Sequence, residues 1–304
     1  MSTNRVRDYL SQQKIDNMHT SKREQTYSYN LGFRFNWNDY RTIKASEAKL
    51  AEIGSFQDND NEREDFAYLC YQVGTFYNHI KREPDFALPY LYFAKQRLTG
   101  DQLAWTQNHL AFSYQQKKYY LPALQYCQAV KSQYENANSP EQIKIVAFAH
   151  CVQALTEYEM GKMTDALASY RLALDLYEKI GALDDQYARA KNRWAMMLVE
   201  NKQTDEAQKA FGELENYWTK NQDTLNPYPA RFYNTYGDFL KTKSTPDLAG
   251  ALDKFKNAHQ ILCVTDGKEN KFTQDVANKI QEVEKRWNES LNPTEVNVGM
   301  QLRR

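Results

Sequence analysis

Arg189 and Asn192 stand about one helical turn apart, and Arg231 and Asn234 repeat the pair 42 residues later. A guanidinium can fork onto a carboxylate with two parallel hydrogen bonds. A primary amide offers one acceptor and two donors, so it can hold a peptide N–H and C=O together. Asparagines in a row would grip an extended backbone without reading its side chains. The chemistry these residues suggest is recognition, with no bond made or broken.

The other reactive side chains do not assemble into a motif. Cys70, Cys127, Cys151 and Cys263 are far apart and form no CxxC pair, so buried free thiols are expected. The five histidines (His19, His79, His109, His150, His259) are scattered, with no HExxH. A metal site would have to be assembled by the fold, and none is expected. Glu157 with Glu159, and Asp184 with Asp185, are too close in sequence to share a helix face, so a solvated surface is expected for them. Met196-Met197 reads as core. GxxxxGK[ST], GxGxxG and GxSxG are missing. The chain is expected to be no enzyme and to take no cofactor.

These residues need elements to hold them, and the composition points to helices. Glycine (11) and proline (8) are scarce among 304 residues, which disfavours many short strands joined by turns. Lys+Arg and Asp+Glu are 39 each, so the whole chain carries no field to attract nucleic acid or a membrane. Arg5, Arg7, Lys14, Lys22 and Arg23 make a basic run, but Asp8, Asp16 and Glu24 interrupt it. Nucleic acid is therefore the weakest partner reading. No apolar run reaches the ~18 residues of a membrane span. The N-terminus lacks the apolar core of a signal peptide, so the expected location is cytoplasmic and no membrane partner is expected.

The helices recur. In "GKMTDALASYRLAL" (161–174), Ala166 and Ala173 are two turns apart, with Ala154 twelve residues before Ala166. The same frame places small residues at Gly32, Gly74, Ala111, Ala154, Ala195 and Gly237, at intervals of 42, 37, 43, 41 and 42. "FTQDVANKIQEVEKRWNESL" then sets Val276, Ile280, Val283 and Trp287 on one stripe, as the open end of a repeat array requires.

This register resembles the tetratricopeptide repeat, whose small residues let paired helices pack closely. The resemblance implies an all-α fold: a right-handed superhelical solenoid of about six helical hairpins with a C-terminal capping helix. The expected layout is an N-terminal segment 1–24, with a short helix around Val6, Tyr9 and Leu10. An array over 25–268 follows, with repeats starting near 25, 67, 104, 147, 188 and 230. A capping helix (269–290) and a loose tail (291–304) complete it.

In such repeats the first helices line a concave groove. The resemblance assigns to that groove Tyr71, Trp105, Asn108, Tyr158, Arg189, Asn192, Arg231, Asn234 and Lys241, with Tyr29 and Tyr68 at equivalent positions. It would run from aromatic at one end to basic and amidic at the other. A protein or linear peptide segment is the expected partner, bound by a non-enzymatic scaffold or adaptor; a second copy of the chain could also pair with it. The long period, the repeat number and the asparagines further resemble the tetratricopeptide domains of bacterial peptide-pheromone receptors, the Rap-like regulators. That implies asparagines on a peptide backbone and arginines on its acidic groups. Those relatives carry an N-terminal output domain, which the early start of the repeats leaves no room for here.

Overall fold

The computed structural model describes residues 29–30, 34–35, 60–221 and 228–291. After a two-residue strand pair, β1 (Tyr29–Asn30) with β2 (Arg34–Phe35), eleven α-helices follow among the described residues. They are α1 (Asp60–Phe76), α2 (Pro84–Lys95), α3 (Gly100–Gln116), α4 (Tyr120–Gln133), α5 (Pro140–Glu159) and α6 (Met163–Lys179). Then come α7 (Asp185–Glu200), α8 (Thr204–Lys220), α9 (Tyr228–Thr242), α10 (Leu248–Thr265) and α11 (Lys271–Leu291). Two compact units divide inside α7, between Ala190 and Lys191.

Each hairpin closes where a small residue lets two helix backbones approach. In the first unit Ala111, Ala123, Ala154 and Ala166 have no exposed surface. A Cβ on Gly74 would sit 2.7 Å from Leu91 Cγ, and one on Gly237, in the second unit, 2.7 Å from Phe255 Cε1. Both contacts are too short for any side chain, so the glycines are steric requirements of the α1/α2 and α9/α10 crossings.

The joint after the first helix is left-handed at equivalent places: Lys118 (φ 61°), Gly161 (φ 78°) and Lys202 (φ 62°). The first of these hairpins, α1/α2, carries one extra residue. A π turn over Tyr77–Lys81 absorbs it, and the left-handed residue moves to Arg82 (φ 56°).

Two of the helix starts, those of α5 and α10, carry short polar caps. Ser139 Oγ accepts from Gln142 N–H, with Pro140 at the first helical position of α5. Asp247 does the same for α10 through Gly250 N–H at 2.8 Å. First helices start earlier than the sequence frame: α5 begins at Pro140 rather than near 147, and α1 at Asp60 rather than near 67.

One expectation is corrected here. The first helix expected around Gly32 and Phe35, with Tyr29 on its inner face, is met instead by the antiparallel pairing Tyr29↔Phe35 and Asn30↔Arg34. The physical reason is the alternation Tyr27, Tyr29, Leu31, Phe33, Phe35, Trp37, a strand period with Gly32 at its centre. The segment 1–24, the rest of the first repeat and the tail beyond 291 lie outside the described residues.

Candidate functional site

In the first unit, the expected aromatic half of the groove is interior. Tyr71 and Trp105 are 1% exposed, and Asn108 is fully buried. Trp105 Nε1 donates to Glu141 Oε1 at 2.6 Å, tying α3 to α5. Asn108 Nδ2 donates to the Ile145 carbonyl at 2.9 Å, a second tie between the same helices. These three side chains hold neighbouring first helices together and present no surface to a partner. Tyr158, near the end of α5, is only half-buried.

A histidine pair that sequence spacing did not reveal lies beside them. His79 Nε2 and His109 Nδ1 are 3.1 Å apart, and Tyr71 Oη is 3.3 Å from His109 Nε2. His79 stacks on Phe112 at 4.7 Å, and His109 packs against Phe148 and Trp105. Asn78 Nδ2 donates to the His109 carbonyl, and Ser113 Oγ donates to Asn78 Oδ1, each at 2.8 Å. Burial, and then the Arg189 guanidinium, lower the His109 pKa to about 3. Burial, then His109, Arg189 and Arg82, hold His79 well below the usual histidine range. Both rings are therefore neutral, which suits an interior hydrogen-bonded chain. Among the described residues no group of three His, Cys, Asp or Glu side chains could hold a metal ion.

Arg189 is half-buried on α7, close enough to this interior to disfavour protonation of both histidines. It also draws down the Cys151 thiol, which burial nevertheless pushes up to about 12. Cys70 and Cys127 are buried free thiols, whereas Cys151 and Cys263 are partly exposed.

Two carboxylates expected in solvent are instead structural. Glu157 is 9% exposed and accepts from Ser169 Oγ at 2.7 Å and Gln153 Nε2 at 2.6 Å. Asp184 pairs with Lys144 at 2.9 Å and accepts from the Gln186 N–H at 3.0 Å, capping α7. An i−4 glutamine and a facing serine are the sequence signals for the first; a position one before a helix start is the signal for the second.

In the second unit the inner side chains are not core. Asn192, Arg231, Asn234 and Lys241 are all half-buried. Asn192 Oδ1 is shielded from water and has no hydrogen-bond partner among the described residues. Arg231 lies 5.9 Å from the Tyr228 ring centroid, a cation–π contact at the edge of range. Lys279 of α11 donates to Asn234 Oδ1 at 2.9 Å and to Asp238 at 2.5 Å. Lys241 donates to Glu282 of α11 at 3.3 Å. The polar positions of α9 thus meet the polar face of α11, while Val276 and Val283 of α11 are fully buried.

The same fold occurs in solved structures. The chain matches the apo form of RapI over 83% of its length and 96% of that chain, with a TM-score of 0.55 and 16% identity. It has the fold of the Rap proteins. A Rap protein solved with Competence and Sporulation Factor matches over 83% of this chain and 72% of that one, with a TM-score of 0.53 and 17% identity. No family model and no curated protein matches the sequence. No helix among the described residues is long and apolar enough to cross a membrane.

Proposed function

We propose that this chain is a non-enzymatic receptor for a linear peptide segment, held along α7 and α9 of the second unit. The observation that carries the reading is Asn192 Oδ1, a shielded amide oxygen with no donor. A buried unpaired acceptor costs about 1–3 kcal/mol, and a peptide N–H would recover it once this half-buried side chain turns its amide outward. Arg231, one helix on, supplies a guanidinium for an acidic group of the same ligand. A Rap protein of the same fold has been solved with Competence and Sporulation Factor, which supports a regulator that senses such a segment.

Selection from a random linear-peptide library on the immobilised protein tests this. Peptides should be recovered whose affinity falls about tenfold in Asn192→Ala, because the peptide N–H loses its acceptor. Asn192→Asp keeps that acceptor and should retain part of the affinity. Selected peptides that bind Asn192→Ala as well as the wild type would remove α7 from the site.

A further inference from the structure

The asparagine at one repeat position is turned in opposite directions in the two units. Asn108 Nδ2 donates inward, to the Ile145 carbonyl on the next first helix, and its Oδ1 has no partner among the described residues. At the equivalent position Asn234 does the reverse: its Oδ1 accepts from Lys279 Nζ on α11 at 2.9 Å. An ammonium has three donors and no acceptor, so the atom facing it has to be the amide oxygen. The next helix therefore sets the direction of the amide: a carbonyl draws the NH2 inward, and an ammonium turns it out.

Lys279 is held in place from several sides. Its Nζ also donates to Asp238 at 2.5 Å and lies 5.4 Å from the Phe255 ring centroid. Val276 and Val283, about one turn to either side of it on α11, are fully buried. Asn234 is half-buried, and its Nδ2 has no hydrogen-bond partner among the described residues and is not shielded from water.

We propose that Lys279 is a positioning residue of the peptide site: it fixes the Asn234 amide with its NH2 outward, so that α9 takes a carbonyl of the ligand. This rests on the receptor reading above and gives the two asparagines different duties. Asn192 supplies an acceptor to a ligand N–H, whereas Asn234 supplies a donor to a ligand C=O. An aspartate at either place offers oxygens only, so the two positions respond to it oppositely.

The test is the affinity of a library-selected peptide, one whose binding falls in Asn192→Ala, for variants of the full chain. Asn234→Asp keeps an oxygen on Lys279 and puts a second oxygen where the NH2 was. It should melt near wild type and lose affinity about tenfold or more, in contrast to Asn192→Asp. The exchange Asp238→Lys, Lys279→Glu keeps the net charge and an ion pair between α9 and α11, but sets an acceptor beside the amide. The NH2 then turns inward, and affinity should again fall about tenfold, a loss that a merely structural tie would not produce. If circular dichroism shows the exchange variant unfolded, Lys279→Met replaces it: the amide takes both directions, half of the molecules are competent, and affinity should fall about twofold. Wild-type affinity in Asn234→Asp or in the folded Lys279 variant would overturn the proposal. Recovery of no Asn192-dependent peptide would remove the receptor reading, and this proposal with it.

Discussion

Trp105 and Arg231 occupy the same place in two different repeats, and so do Asn108 and Asn234, yet their surroundings are opposite. In the first unit these positions are sealed, and their polar atoms bond the neighbouring helix. In the second they are half-buried: Asn234 accepts from Lys279 of α11, and Arg231 lies beside the Tyr228 ring. A repeat position fixes the direction of a side chain from its helix. What packs there next decides whether that side chain becomes core or contact surface. Large aromatics in the first unit fill the space between first helices; the short amide and the long lysine of the second leave it to polar partners.

The largest difference should appear on truncation. Trp105→Ala should lose about 3–5 kcal/mol, since it removes a buried indole and leaves Glu141 without its donor. Arg231→Ala, at the equivalent place, should change stability by no more than ~0.5 kcal/mol. Urea denaturation of both variants checks this. Equal losses would show that the two units treat the position alike.

Acid should reach the first unit before the second. His79 and His109 have pKa values depressed by folding, so the unfolded chain binds more protons below its ordinary histidine value of about 6.5. The stability they hold is complete above that pH and falls as the pH drops toward the folded value of about 3 for His109. Melting temperature should therefore decline from pH 7 to pH 4, and His109→Gln should flatten the decline. An unchanged slope in that variant would place the acid sensitivity elsewhere, His150 (lowered to about 4 by burial, then Lys131) being the next group to replace.

A smaller effect is expected at the left-handed joints. Lys202→Gly relieves a side chain held at φ 62° and should stabilise by several tenths of a kcal/mol, after the entropy cost of glycine. Gly161→Ala, at the matching joint, should destabilise by about 1 kcal/mol. Opposite signs by thermal melting would confirm the equivalence of the joints; equal signs would break it.

The fold was legible because close helix approach leaves few choices. Gly74, Ala111, Ala154 and Gly237 had to be small, and their spacing gave the period before any helix was placed. The candidate site was less legible. Helical periodicity reports which side a residue faces, and Trp105 and Asn108 do face the neighbouring first helix, but no periodicity reports how tightly that helix closes on them. The His79–His109 contact joins residues thirty apart on different helices, so no local spacing could announce it. The strand pair near Gly32 is legible through its period of two, but the glycine also fits the repeat frame, so the two patterns compete there.

The division between core amide and ligand amide is tested most directly by one paired measurement, on a peptide selected against the wild type. Melting temperature and peptide affinity would be measured for Asn108→Ala and for the double change Asn192→Ala, Asn234→Ala. The account predicts that Asn108→Ala lowers the melting temperature, because the Ile145 carbonyl loses its donor. Its folded fraction should still bind normally. The double variant should melt near wild type and lose binding by tenfold or more. A double variant that binds normally, or an Asn108→Ala protein that melts normally but no longer binds, would contradict it.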